Sequence, residues 1–274
     1  MLENPNKHQK RLSGTLGKQT FIDAAMNSDL EPSEMGGSDD AAPKRSRLIS
    51  KVLVPAIRLW LRSQVDSVAA LQLEIEAGDR QLLSGSIPQV NLAARQAVYR
   101  GLHFSQIDLV GKNICVNLGQ VVRGKPFRLL EPIAIAGSVL LLEADLNASL
   151  DAPLLKAGVT QFLLTLLQAD ATQELNLQNL QIRLDDQQVT IAANLISVSG
   201  NETPIVIRSG FEMATPNRLK LVNPQWLPHA NAKRGMSIDD LNGYTFDLGD
   251  ETEIQALTIS KGQITCQAKL TVRP

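Results

Sequence analysis

The chain has 274 residues, a formal charge of −1 and 43% hydrophobic residues, of which few are aromatic: Phe, Trp and Tyr make up only 4%. This length allows a sizeable core in one or two domains, and that core must be built from aliphatic side chains. The near-zero charge argues against a polyanion-binding protein, and scarce aromatic rings argue against base stacking. The sequence therefore predicts no nucleic-acid partner.

Residues 1–45 differ in composition from the rest of the chain. The segment "SDLEPSEMGGSDDAAPKR" is rich in Ser, Asp, Gly and Pro, so it has little to bury and is predicted to be a disordered polar tail. A single domain is predicted over 46–274. The first residues lack the apolar core of a secretory signal, and no stretch reaches the roughly 18 apolar residues of a spanning helix. The predicted location is cytoplasmic or peripheral to a membrane.

The first strong pattern, "RLISKVLVPAIRLWLRSQVDSVAAL", is typical of an amphipathic helix. At 100° per residue, Lys51, Arg58 and Arg62 fall in one basic stripe beside a wide apolar arc. Pro55 either bends this helix or marks its true start. Two interpretations stay open: a core helix with a solvated cationic edge, or a helix that lies on an anionic membrane.

After this helix the pattern changes to a period of two, which indicates strands. In "IPQVNLAARQAVY", Val90 and Leu92 share a face. In "LHFSQIDLVGKNICVNL" the alternation ends with Ile114 and Val116, and its parity shifts near Gly111. A shift of this kind predicts a bulge or bend.

The segment "VVRGKPFRLLEP" places three cations, Arg123, Lys125 and Arg128, around Phe127. An exposed aromatic ring among cations is typical of contact with anionic head groups at a membrane interface. The alternative is a solvated loop whose Phe127 packs into the core. Both interpretations stay open at this point.

The most apolar stretch follows, but only eleven residues separate Glu131 from Glu143. That is too short for a membrane-spanning helix, and the small and branched residues of "IAIAGSVLLL" predict a buried strand. Asp151 and Pro153 then predict the start of a helix, with Phe162 on its apolar face.

The remaining chain reads as a second series of strands. "ELNLQNLQIRL" has a parity slip at Gln178-Asn179, Asp185-Asp186 reads as a hairpin turn, and "GQITCQAKLTVRP" alternates cleanly. Connections are mostly short, so the strands should pair antiparallel. The predicted class is α+β: a long, strongly curved antiparallel sheet wrapped around one or two apolar helices.

No arrangement of residues indicates catalysis. His8, His103 and His229 are scattered, and the GxSxG motif that would place a nucleophilic serine is missing from the sequence. Cys115 and Cys266 lie in alternating apolar stretches without metal-ligand spacing, which predicts buried free thiols. The sequence predicts a protein that is not an enzyme and needs neither metal nor cofactor.

Several of these segments together resemble the LmeA-like phospholipid-binding domain family. The resemblance rests on "GSIPQVNLAA", "GLHFSQIDLVG" and the strand-to-helix junction "EADLNASL", and it covers 48–167 well and the C-terminal strands by pattern. "RLWLRSQVD" and "RGKPFRLLEP" resemble the cyanobacterial form. The resemblance implies a tubular lipid-binding fold with an apolar cavity, phospholipid binding and a role in the cell envelope, and it supplies no catalytic residues.

The resulting hypothesis is non-catalytic binding, extending to transfer, of phospholipid or a similar amphiphile in an apolar groove. The protein would also contact anionic membrane surfaces, and its protein partners are unknown. The predicted groove-lining residues are Val90, Leu92, Ile114, Val116, Leu140 and Phe162. The predicted membrane or head-group contacts are Lys51, Arg58, Arg62, Arg123, Lys125, Phe127 and Arg128. The alternative is a structural or scaffolding protein with a closed core that acts through protein partners.

Overall fold

The computed structural model describes residues 53–78, 81, 84–121, 123–166, 176–197 and 200–274. The predicted tail, residues 1–45, lies outside these ranges. The described residues contain four α-helices and twelve strands. The helices are α1 (Val54–Gln64), α2 (Leu118–Val121), α3 (Glu143–Ala148) and α4 (Pro153–Leu166).

Six strands form the first sheet, sheet I, in the order β1-β2-β3-β4-β12-β11. Every neighbouring pair is antiparallel. Its strands are β1 (Ser67–Glu76), β2 (Ser86–Tyr99), β3 (Leu102–Cys115), β4 (Ile133–Leu142), β11 (Thr252–Ser260) and β12 (Gln263–Val272).

The second sheet, sheet II, has the order β10-β8-β7-β6-β5, with β9 paired to β8. It is also antiparallel throughout. Its strands are β5 (Asn176–Asp185), β6 (Gln188–Ile196), β7 (Glu202–Thr215), β8 (Arg218–Trp226), β9 (Met236–Ser237) and β10 (Thr245–Asp247). The predicted α+β class with antiparallel strands is confirmed, and the strands are divided between two sheets.

Each sheet has its own apolar helix. In sheet I, Ile57 of α1 packs with buried residues of the first four strands, among them Ile87. In sheet II, Phe162 and Leu163 of α4 pack with Ile207 of β7. The two helices therefore cover two cores, and a third cluster, with Leu184 of β5 and Ile259 of β11, joins the two sheets.

The first predicted helix was too long in the sequence interpretation. Helix α1 begins at Val54 with Pro55 in its first turn, where the missing N–H of proline costs nothing. It ends at Gln64, and Ser67–Glu76 forms strand β1. The helical prediction is wrong there because Ala69, Ala70 and Leu71 are compatible with both the helical period of 3.6 residues and the strand period of two. The pairing of β1 with β2 decides between them.

Two irregularities predicted from parity occur in the strands. In β3 the left-handed residue is Asn113, with φ of 53°, two residues after Gly111. In β5 the register shifts between Gln178 and Gln181, and Asn179 has φ of 52°. Asparagine tolerates this conformation better than most residues.

Strand β8 was not predicted, because "NPQW" reads as a loop. A proline inside a strand removes a ladder donor. Here the buried Pro224 lies opposite a register shift of β7, between Arg208 and Gly210, and its carbonyl accepts the N–H of Ile238 at 2.9 Å. The irregular pairing accommodates the missing N–H.

Helix α3 links the two sheets through side-chain hydrogen bonds. The Glu143 carboxylate accepts the N–H of Leu184 at 2.8 Å. The Asn147 amide accepts the N–H of Ile182 at 2.9 Å and donates to the Ile182 carbonyl at 2.7 Å. These bonds satisfy backbone groups at the edge of β5, so the edge strand of sheet II is covered rather than free.

Among the described residues, no helix combines the length and apolar character that crossing a membrane requires.

Replacement of Asn147 by Ala should lower the free energy of unfolding by about 1–3 kcal/mol, because the Ile182 N–H and carbonyl lose their partners at a partly buried edge. Urea denaturation measures this. Asn176→Ala is the matched control, because Asn176 is exposed on β5, the strand that contains Ile182. It should change stability little. Equal midpoints for the two variants would contradict the role assigned to Asn147.

Candidate functional site

A large apolar cavity lies between the two sheets and the helices α3 and α4. Its volume is about 430 Å³, within the range of roughly 300–1,000 Å³ typical of small-molecule sites. Sheet I, α4 and sheet II each contribute to the wall. Representative lining residues are Leu141, Ile259, Ile264, Phe162, Ile207 and Phe211.

Among the described residues of this wall, the polar side chains are those of Ser149 and Ser209. The Ser149 hydroxyl donates to the Asp145 carbonyl at 2.6 Å and accepts the N–H of His103 at 2.8 Å. The Ser209 hydroxyl has the carbonyls of Gly210 and Val222 at 2.9 and 3.1 Å. Both groups are already satisfied, so water inside would lack the two to four polar partners that buried water needs. The cavity suits an apolar occupant.

Helix α4 forms the mouth of the large cavity. Leu154, Gly158 and Phe162 are spaced four residues apart and all line the wall, so they share one face of the helix. Leu154 is 71% exposed, and Leu248, across the opening, is 37% exposed. A Cβ atom on Gly158 would meet no atom of the described residues within 4 Å. Gly158 is therefore a gap in the stripe, which leaves the mouth open.

A smaller cavity of about 90 Å³ lies between α1 and sheet I. Ile57, Trp60 and Leu61 of α1 form one side, and Phe127 and Leu129 of the loop after α2 contribute as well. The two cavities thus lie under different helices but share sheet I as a wall.

The predicted groove residues are divided between these cavities. Val90, Leu92 and Ile114 line the small cavity, and Phe162 lines the large one. Val116, 2% exposed, belongs to the core beneath α1, and Leu140 alternates with the lining residue Leu141 of β4; neither lines a cavity. Because successive residues of β4 face opposite sides of the sheet, Leu140 points away from the cavity that Leu141 lines.

The predicted membrane contacts come from two segments that the fold brings together. The rings of Trp60 in α1 and Phe127 lie 5.4 Å apart, so α1 is adjacent to the loop. Residues 54–64 and 117–130 contain five cations and no acidic residue. This cationic surface consists of Arg58, Arg62, Arg123, Lys125 and Arg128, all exposed. Lys51 lies outside the described residues.

Phe127 itself does not belong to this surface. It is 8% exposed and packs in the core beneath α1, so the second of the two interpretations of this loop applies. The exposed apolar side chains beside the cations are instead Leu59, 73% exposed, and Leu130, 58% exposed. Neither was among the predicted membrane contacts, although Leu59 directly follows Arg58 beside the basic stripe and Leu130 lies two residues after Arg128.

Both cysteines are free thiols in partly buried positions. Burial raises the pKa of the Cys266 thiol above its ordinary value. Burial also raises the pKa of the Cys115 thiol, and the nearby Glu131 carboxylate adds to the effect. Both groups are therefore protonated at neutral pH and poor nucleophiles.

Comparison with known families identifies the chain. A family model described as LmeA-like phospholipid-binding matches residues 45–269, a range that contains both cavities and the cationic surface. The chain belongs to the LmeA-like phospholipid-binding family. No curated protein and no solved structure matches it.

The family match confirms the resemblance found in the sequence and extends it through the C-terminal strands. In this LmeA-like protein, "EADLNASL" contains the sheet-linking Glu143 and Asn147 and the cavity-lining Ser149. That motif thus has a structural role at the cavity. The wall supplied by sheet II was missed, although alternation in "TPIVIRSGFEM" marks Ile207 and Phe211.

Replacement of Phe127 by Ala should destabilise the LmeA-like fold by about 3–5 kcal/mol, because a buried ring and its contact with Trp60 are lost. Thermal unfolding with chemical denaturation measures the loss. Leu130→Ala, on the same loop but exposed, should leave stability nearly unchanged. A Phe127→Ala protein as stable as the control would show that the ring is not part of the core.

Proposed function

We propose that this LmeA-like protein binds phospholipid without catalysis, enclosing acyl chain in the large cavity and docking on anionic membranes through the cationic surface. Transfer of lipid between membranes is the activity that follows from these two properties. The observation that carries the proposal is the cavity wall: in the part of the chain that the structure describes, its polar side chains are two serines, and both are satisfied internally.

Such a wall supplies affinity without any catalytic group. Each methylene moved from water into an apolar site contributes about 0.8 kcal/mol, so a chain of several carbons supplies a substantial binding free energy. The head group needs no specific pocket in this scheme, because it remains at the mouth near Leu154 and Leu248.

The cavity favours this function over the scaffolding alternative. A closed core packs with few voids larger than a water molecule, whereas this protein has a cavity of about 430 Å³. An unfilled apolar space of this size forfeits dispersion contacts along its whole wall. A scaffold acting only through its outer surface would gain nothing from that cost.

The cationic surface supports contact with anionic membranes. None of the ion pairs between described residues includes Arg58, Arg62, Arg123, Lys125 or Arg128. Each unpaired cation near an anionic bilayer contributes about 1 kcal/mol. The exposed Leu59 and Leu130 would insert among the head groups beside them.

Filling the gap at Gly158 should block lipid uptake. Gly158→Leu places a side chain in the open mouth and also removes a poor helix former, so stability should rise by about 0.5–1 kcal/mol while lipid binding falls. Native mass spectrometry of protein incubated with phosphatidylglycerol vesicles measures bound lipid. Ala, Leu and Phe at position 158 should lower the amount of bound lipid progressively, with the largest loss for Phe.

Ala157→Leu is the matched control for that series, because position 157 is exposed on the same helix and does not line the cavity. It should leave lipid binding unchanged. If Gly158→Phe binds as much lipid as the control, the large cavity is not the binding site.

Charge reversal tests membrane docking separately from lipid uptake. The double variant Arg58→Glu with Arg62→Glu should weaken sedimentation with vesicles containing phosphatidylglycerol by at least about tenfold, from roughly 1 kcal/mol per lost cation. Reversal of Lys261 and Arg234, two exposed cations outside the surface, is the control. Equal loss in both double variants would indicate attraction by overall charge and would contradict a defined docking surface.

A further inference from the structure

The shared wall of sheet I connects the two cavities. Directly paired residues in antiparallel strands lie side by side on one face, and the next residues on that face come two positions along. The pairing registers therefore divide this face into transverse rows. The first of these rows contains Val90, Gly111 and Ile135, and all three line the small cavity.

The second row ends the small cavity. Its members are Leu73, Leu92, Leu109, Gly137, Ala268 and Ile254. Of these, Leu92 and Leu109 line the small cavity, and none of the six lines the large one.

The third and fourth rows lead to the large cavity. The third row contains Ala94, Ile107, Val139, Cys266 and Leu257. Every one of these five is apolar or a thiol; Ala94 is buried and the other four are partly buried. The fourth row, which includes Leu141, Ile264 and Ile259, lines the large cavity.

One side chain of the second row reaches across its neighbouring strand. A Cβ atom built on Gly137 would lie 2.6 Å from Cδ2 of Leu109 and 2.2 Å from the carbonyl oxygen of Asp108. Only glycine fits at such a distance, so the Leu109 side chain occupies the space above β4 that any other residue at 137 would fill. It stands between the partly buried apolar third row and the small cavity.

We propose that Leu109, seated on Gly137, separates the two cavities and sets the length of acyl chain that the protein accepts. This inference rests on the proposed function. A chain held in the large cavity runs along the third row until Leu109 stops it. Removal of that side chain joins the small cavity to the path and lets longer chains bury their ends beneath α1.

The test compares Leu109→Ala with Ile254→Ala in the full chain. Ile254 lies in the same row as Leu109 and is a buried aliphatic residue, but it belongs to β11 and lines neither cavity. Each protein is incubated with vesicles of dilauroyl, dimyristoyl, dipalmitoyl and distearoyl phosphatidylglycerol in equal amounts. Native mass spectrometry gives the ratio of long-chain to short-chain complexes.

Leu109→Ala should shift this ratio towards distearoyl lipid, by up to about fourfold for each added methylene that becomes buried. Ile254→Ala should retain the wild-type ratio, because Ile254 lines neither cavity. An unchanged ratio in Leu109→Ala, or an equal shift in both variants, overturns the role of Leu109. Wild-type protein that binds none of the four lipids overturns the proposed function as well, so the two failures are distinguishable.

Cys266 supplies a second measurement, which stays informative if Leu109→Ala folds poorly. It lies in the third row, on the proposed path, so a chain that crosses this row should slow its alkylation by iodoacetamide. The rate is measured in a Cys115→Ala background, and the milder Leu109→Val variant replaces Leu109→Ala. The proposal is supported if longer acyl chains protect Cys266 from alkylation more strongly in Leu109→Val than in wild type. It is overturned if lipid leaves the alkylation rate unchanged in both proteins.

Discussion

The arrangement of the molecule depends on polar contacts that join the two sheets at their margins. Besides the bonds from Glu143 and Asn147, the Gly262 N–H donates to the Leu184 carbonyl at 3.1 Å, and the Gln187 N–H donates to the Ile259 carbonyl at 3.0 Å. Backbone groups of this kind must find partners when buried. They fix the sheets at their edges and hairpin ends, so the apolar faces between need not close on each other.

The distribution of aromatic rings keeps that space open. Phe162, Phe211, Tyr244 and Phe246 form one cluster, with ring centres 5.1–6.1 Å apart. Trp60 and Phe127 form a second contact beneath α1. Much of the remaining wall is Leu, Ile and Val, which are too short to bridge two sheets. A composition with few aromatic residues thus has a structural consequence as well as a predictive one.

Sequence periodicity predicted strand bounds well where polar residues flank an apolar run. Strand β4 was predicted with its observed bounds, since its apolar run is bounded by Glu131 and Glu143. Strands β1 and β8 were missed because alanines in one and Pro224 in the other imitate other structures. In both cases tertiary pairing overrides the local pattern.

The candidate site was less accessible to sequence reasoning for a geometric reason. A cavity between two sheets depends on which faces meet, and a one-residue parity error exchanges lining and outer residues. For this reason the sequence pattern predicts Leu140 as a lining residue, whereas Leu141 lines the cavity. The proximity of α1 to the loop at Phe127 was equally out of reach, because Phe127 lies 67 positions after Trp60 and no periodicity links them.

The empty space that Gly158 leaves open also gives the protein a mechanical property. Unfolding admits water into voids and reduces the volume of the system, so folded proteins with large internal voids are the more sensitive to hydrostatic pressure. Occupation of the cavity by a hydrocarbon chain would abolish most of that volume difference. The lipid-bound protein should then unfold at a higher hydrostatic pressure than the lipid-free protein, in addition to any difference in thermal stability.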